Sequence, residues 1–170
     1  KNHFQRKKIL SDMWSNLGRT LGEFPHINKM LKLGFIKIEG IEKIKNQNGC
    51  FIVGAHLGNW EILGLLGKYL GKESGIVYRK LNNPFANKLL LQRAKNTASE
   101  IFEKGQHAAN GMFRVMKKDG LVFILADQQL REGISVSFFG KPANTSIAHI
   151  KIAQKLKKPI ILAQTIRLKN

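Results

Sequence analysis

Residues 50–61 read Cys50-Phe51-Ile52-Val53-Gly54-Ala55-His56-Leu57-Gly58-Asn59-Trp60-Glu61, and this stretch decides the fold. Four apolar residues in a row at its head, bounded by glycine, predict a strand buried on both faces over residues 50–55. Such a strand delivers His56 to the edge of a sheet. Glu61 follows at the head of a run, residues 60–70, that reads as a helix. Strand ends in α/β proteins are where chemistry is mounted. A histidine beside a carboxylate can serve as a general base whose tautomer the acid holds. On one ideal helix the two residues would diverge by about 140°. They meet only if His56 lies in the turn and Glu61 in the first helical turn. The spacing alone is equally compatible with a turn histidine and a capping or solvated glutamate.

Working outward, strands and helices alternate. Apolar residues Ile9, Met13, Trp14, Leu17, Leu21 and Phe24 recur at helical spacing over residues 4–24, giving an amphipathic helix that Pro25 interrupts. Its apolar face is expected to pack on the core, with a membrane surface as the functional alternative. A short second helix follows at 27–33. Strands are expected at 35–39, 75–79, 98–102, 121–126 and 160–168, and helices at 41–45, 84–98, 106–118 and 146–156. Repeated βα units predict an α/β fold: a mostly parallel central sheet flanked by helices, preceded by N-terminal amphipathic helices. Asn59 is expected to cap the helix carrying Glu61.

The 170 residues suffice for a single domain with a sizeable core. Lys and Arg number 29 against 11 Asp and Glu, a formal charge of +18 that would attract polyanions, anionic lipid or an acidic protein. Aromatic residues do not alternate with basic ones as in single-strand binders, so a nucleic-acid module rests on charge alone. The single cysteine, Cys50, heads an apolar run and reads as a buried structural thiol. No run approaches the length of a membrane span. Gly-x-Ser-x-Gly, Walker A, Gly-x-Gly-x-x-Gly and His-Glu-x-x-His patterns are absent. His3, His26, His56, His107 and His149 show no ligand spacing, so no metal is expected.

Further segments complete a pattern: Trp14-Ser15-Asn16-Leu17-Gly18-Arg19, Ala55-His56 through Trp60-Glu61, Val77-Tyr78-Arg79 with Asn82-Asn83-Pro84, Arg93, Ala126-Asp127-Gln128, and Phe138-Phe139-Gly140-Lys141-Pro142-Ala143 with Thr145. In order and over nearly the whole chain, they resemble the late (lauroyl/myristoyl) acyltransferases of bacterial lipid A biosynthesis. That family lies within the glycerolipid acyltransferase superfamily, whose signature is His-x4-Asp/Glu. The resemblance implies transfer of a fatty acyl chain from acyl carrier protein to a hydroxyl of a lipid A precursor, or in some relatives of another glycolipid, with no metal or organic cofactor. It also implies an N-terminal membrane anchor and a further C-terminal segment, so residues 1–170 are expected to be one acyltransferase domain without them. The expected location is the cytoplasmic face of the bacterial inner membrane.

On this reading His56 is the base, and Glu61 orients the ring and stabilises the imidazolium. The acceptor alcohol attacks the thioester directly, which agrees with the absent serine elbow. Arg93 is the candidate for stabilising the oxyanion or a phosphate, with Arg79 as a second. Asp127 ends the most apolar strand, where an unpaired charge is costly. By resemblance it holds the place of the superfamily's third acidic motif, pairing with Arg93 or positioning the acceptor sugar. Asn83, Gln128 and Thr145 are expected toward the substrates, with Phe138-Phe139-Gly140 shaping a pocket wall. The basic surface would serve an acidic acyl carrier protein, phosphorylated lipid and an anionic membrane surface, with no nucleic acid expected. The competing class is a basic anionic-surface or nucleic-acid binding module, indifferent to His56 and Glu61. A phosphoryl-lipid hydrolase activating water with the same dyad is a third.

Overall fold

The structure, a computed structural model of the chain, describes residues 2–95, 97–103, 105–129 and 133–168, without the side chains of residues 93 and 106. Helix α1 spans His3–Glu23 and starts with a capping box: Gln5 N–H donates to Asn2 Oδ1 (2.9 Å) and Asn2 N–H to Gln5 Oε1 (3.1 Å). A 3-10 turn at Phe24–His26, set by Pro25, leads to α2 (Ile27–Lys32), and α3 is one turn, Glu42–Lys45. Then come β1 (Cys50–Gly54), a 3-10 turn at Trp60–Gly64, α4 (Leu65–Tyr69), β2 (Ser74–Tyr78), α5 (Pro84–Ala94), β3 (Glu100–Glu103), α6 (Gln106–Lys117) and β4 (Leu121–Leu125). A hairpin of β5 (Ile134–Phe138) and β6 (Lys141–Thr145) follows, and α7 (Ala148–Leu156) and β7 (Ile160–Leu162) complete the order.

Five strands form one parallel sheet in the order β3-β2-β4-β1-β7. The period-two alternation of a strand divides its core into two layers. Phe51, Val53 and Val122 face α6 and α7, where they pack on Met112, Val115, Met116 and Ala153. Cys50, Ile52, Leu121 and Phe123 face the other side, against Ile44, Leu63 and Leu66. Strands β1 and β4 are therefore covered on both faces, which is why their sequences are continuously apolar. Phe102 of β3 lies between Gly75 and Gly111, where a methyl group on either glycine would meet its ring.

The expected α/β architecture is present, and five differences have local causes. Residues 35–39 join no ladder; both edges of β1 are taken by β4 and β7, and Ile36 and Ile38 instead pack against separate clusters beneath. The expected helix 60–70 divides into the 3-10 turn and α4. Only Ile160–Leu162 of the expected strand 160–168 pairs, because its partner β1 stops at Gly54; the chain stays extended beyond, its side chains alternating inward and outward. The hairpin was not anticipated. Its signals are the alternation Ile134-Ser135-Val136-Ser137-Phe138 and a Phe139-Gly140 turn with φ of 51° and 75°, the sign that two-residue hairpin loops need.

The fifth difference is α1. It forms as expected, but its apolar face is not packed: Ile9, Leu10, Met13, Trp14 and Leu21 are exposed, Trp14 by 63%. The helix is attached near its C-terminal end, where Phe24 and Ile27 pack on Leu65. No helix among the described residues is long and apolar enough to cross a membrane.

Candidate active site

The register of the sheet builds the site. Gly54 of β1 lies beside Leu125 of β4, and Ala126 N–H donates to Gly54 O (3.0 Å), so the two strands release the chain at one level. His56 and Asp127 each stand two residues past that pair. The chain leaves β1 for β2, past the end of β4, and leaves β4 for β7, past the end of β1, so the two connections run in opposite directions over this pair, at the carboxyl ends of the strands where α/β sheets hold ligands.

Asp127 Oδ1 lies 2.7 Å from His56 Nδ1, and Asp127 Oδ2 accepts from the His56 backbone N–H (2.9 Å). A carboxylate can only accept, so Nδ1 carries the proton of this contact, and in the neutral ring the lone pair lies on Nε2. Burial by itself would raise the Asp127 carboxyl, but the backbone N–H and ring of His56 outweigh it and hold the group below its ordinary value. The two side chains are about one third exposed, 31% and 32%, so the ring remains reachable. The Gln128 amide nitrogen lies 3.5 Å from His56 Nε2. His56 is the central residue of a three-residue turn closed by Leu57 N–H to Ala55 O (2.7 Å).

Glu61 had been expected on the His56 ring; in the structure Asp127 occupies that place. Glu61 Oε1 accepts from the Trp60 indole N–H (3.1 Å), and the Trp60 ring stands edge-on to His56 with centroids 5.0 Å apart. Glu61 thus reaches the imidazole through an aromatic side chain. Asp127 had been expected beside Arg93 or an acceptor sugar. Arg93 belongs to α5, and its side chain lies outside the described residues.

Arg79 follows β2 at the same sheet edge, exposed and without a carboxylate partner among the described residues. Asn83 is engaged in capping α5, its Oδ1 accepting from Phe85 N–H (2.9 Å) and Ala86 N–H (3.1 Å). Thr145 ends β6 and its hydroxyl donates to Ala143 O (3.3 Å). Asn59 does not cap the turn after it; its Nδ2 donates to Glu23 Oε2 (2.8 Å) in α1. An open cleft of about 430 Å³ lined by Lys80, Asn82, Lys88, Gln92 and Lys95 flanks α5 and does not include His56. Cys50 is fully buried, as expected, and burial pushes its thiol up to about 11 despite the opposing charge of Lys72.

Sequence reasoning missed Arg167 and its partners on α1, which reach the turn after His56; Arg167 and Glu23 are 144 residues apart, and only folding juxtaposes them.

A search of curated proteins finds no match. The family model for bacterial lipid A biosynthesis acyltransferase matches residues 1–170. With a histidine at the end of a central strand and the His-x4-Glu spacing intact, the chain belongs to the bacterial lipid A biosynthesis acyltransferase family.

Proposed function

We propose that this protein transfers a fatty acyl chain from an acyl carrier protein thioester to a hydroxyl of a lipid A precursor, with His56 as general base and no acyl-enzyme. The observation that carries the reading is the His56–Asp127 contact, which fixes the proton on Nδ1 and leaves Nε2 as the basic nitrogen at an accessible sheet edge.

An alcohol is a weak nucleophile at neutral pH and needs a base within hydrogen-bond reach. The acceptor O–H gives its proton to His56 Nε2 as its oxygen bonds to the thioester carbonyl carbon. The carbonyl π electrons move to oxygen and form a tetrahedral oxyanion. When that intermediate collapses, the C–S bond breaks and the departing thiolate takes the proton from Nε2. Asp127 holds the ring and offsets the imidazolium charge. Glu61 acts through Trp60, and Arg93 and Arg79 supply positive charge for the oxyanion or for a substrate phosphate. The ammonium groups of Lys80, Lys88 and Lys95, which line one cleft and make no ion pair among the described residues, suit an acidic carrier protein or a phosphorylated lipid. The exposed apolar residues of α1, with Lys7, Lys8 and Arg19 on the same helix, suit an anionic membrane surface.

The test uses the protein in detergent with acyl carrier protein bearing C12 or C14 chains and a lipid A precursor, read by mass spectrometry. One added acyl group that is lost in His56→Ala supports the reading. Transfer by His56→Ala at the wild-type rate refutes the mechanism, and transfer only to a different glycolipid refutes the acceptor.

A further inference from the structure

The turn carrying His56 is held by an ion-paired cluster that the chemistry above does not use. Residues 57–59 leave β1 with few backbone hydrogen bonds of their own, and their polar groups are bound from two sides. On one side is the extended segment after β7, whose inward positions are Thr165 and Arg167. Thr165 Oγ1 donates to Leu57 O (2.6 Å). On the other side is α1, where Asn16, Thr20 and Glu23 recur at i, i+4 and i+7 and so share one face. Asn16 Nδ2 donates to Gly58 O (3.0 Å), Thr20 Oγ1 also reaches Gly58 O (3.2 Å), and Asn59 Nδ2 donates to Glu23 Oε2 (2.8 Å).

Arg167 joins the two sides and uses all three guanidinium nitrogens. Its Nη1 donates to Glu23 Oε1 (2.5 Å) and Oε2 (2.7 Å), its Nη2 to Thr20 Oγ1 (3.1 Å), and its Nε to Asn16 Oδ1 (2.9 Å). Gly58 has φ +55°, and a methyl group there would fall on the Thr165 carbonyl, so the turn has no room to shift toward this segment. Burial alone would raise the Glu23 carboxyl, but the hydrogen bonds from Arg167 and Asn59 and the charges of Arg167 and Arg19 hold it below its ordinary value.

Energetics separate positioning from simple attachment. A mostly buried ion pair adds little net stability over an apolar pair of the same shape, because desolvation offsets the attraction. The attachment of α1 already has an apolar anchor in Phe24, Ile27 and Leu65. What the polar cluster adds is direction: three guanidinium nitrogens in a rigid fork fix three helix side chains, and those side chains fix the Gly58 carbonyl and the Asn59 amide that follow Leu57. His56 is directly joined to Leu57, so a drift of this turn would carry the imidazole off Asp127.

We propose that Arg167 and Glu23 are positioning residues: by clamping Gly58 and Asn59 they keep the His56 ring on Asp127. For its catalytic consequence the inference rests on the acyl-transfer reading above, whereas the geometry it asserts can be measured without turnover.

The experiment compares the wild type with Arg167→Met, Arg167→Lys and the double variant Arg167→Met/Glu23→Met, in which both charges of the pair are removed together and only the exposed Arg19 loses a partner. Each is examined by thermal melt, by the proton resonance of the His56 Nδ1–H in a ¹⁵N-histidine sample, and by transfer kinetics. The wild type is expected to show a low-field, slowly exchanging Nδ1–H that Asp127→Asn abolishes. In the double variant, folded at the assay temperature, that resonance is lost. The kcat falls about 100-fold with KM for both substrates changed less than about threefold, the size expected when a reacting group is displaced by about 1 Å. Arg167→Lys keeps the charge but not the fork and recovers only part of kcat. A folded double variant that retains the resonance and the wild-type kcat overturns the proposal. A retained resonance overturns it even if no acceptor is turned over, and loss of the resonance in a preparation inactive toward every acceptor sustains the positioning while refuting the acyl-transfer reading. If Arg167→Lys restores kcat fully, charge alone suffices and the fork has no positioning role.

Discussion

Replacing Asp127 by Asn isolates the element on which the mechanism turns. The carboxylate accepts two N–H groups from one residue, the His56 ring at 2.7 Å and its backbone at 2.9 Å. An amide of the same shape has one acceptor oxygen, so its NH2 group must face one of those donors. If it faces the ring, Nδ1 becomes the acceptor and the proton moves to Nε2, where it blocks the base. If it faces the backbone, two donors oppose each other. Charge is lost in either case. A carboxylate and an imidazolium whose centres lie about 4 Å apart attract by about 4 kcal/mol at an effective dielectric of about 20. The one-third exposure of both groups lowers this, and about 3–4 kcal/mol corresponds to a kcat loss of roughly 10²–10³-fold. KM should change little, since the interaction develops with the transition state. The assay is transfer of a labelled acyl chain from its carrier protein at saturating acceptor, with circular dichroism to verify folding. Glu61→Gln is the comparison: it preserves an acceptor for the Trp60 indole and leaves the ring's own carboxylate in place, so its loss of kcat should be smaller than that of Asp127→Asn. The reverse ranking, a dead Glu61→Gln and an active Asp127→Asn, would refute the assignment of Asp127 as the ring's partner.

Three further predictions concern the scaffold. Gly111→Ala gains about 1 kcal/mol of helix propensity but places a methyl group against the Phe102 ring; overpacking of about 1–3 kcal/mol should win, giving a lower urea midpoint with an unchanged slope. His149 is 5% exposed in α7 and burial lowers its affinity for a proton. The sign follows: the unfolded chain binds that proton more readily, so stability is complete above about pH 6.5 and falls as pH drops below it. His149→Leu should flatten that part of the curve in pH-dependent melts, and an unchanged slope between pH 7 and 5 would count against a neutral buried ring. Cys50, fully buried with its thiol held up to about 11, should resist maleimide in the native state and react at once in denaturant; rapid native labelling would contradict its burial.

Much of the architecture was legible in the sequence because it is written in local patterns. Strands β1 and β4 are continuously apolar since both their faces are covered, and α1 declares itself by helical periodicity. His56 could be placed at a strand end from the residues that precede it. The extent of a strand was less legible: 35–39 and 163–168 have strand-like patterns, but whether an extended segment pairs depends on which edges other strands have filled.

By itself the sequence determined the α/β class, the family signature, the histidine at the head of the sheet and a basic surface, since each depends on residue type, order or spacing along the chain. Only the tertiary structure decided which carboxylate meets that histidine. Glu61 is near in sequence, but the turn at residues 57–59 and the 3-10 geometry direct it to Trp60; Asp127 is 71 residues away, yet the β1–β4 register sets it beside the ring. The same holds for Arg167, whose pairing with Glu23 joins the segment after β7 to α1 across 144 residues. Such contacts are set by strand order and register, properties of the folded chain as a whole that no local pattern encodes.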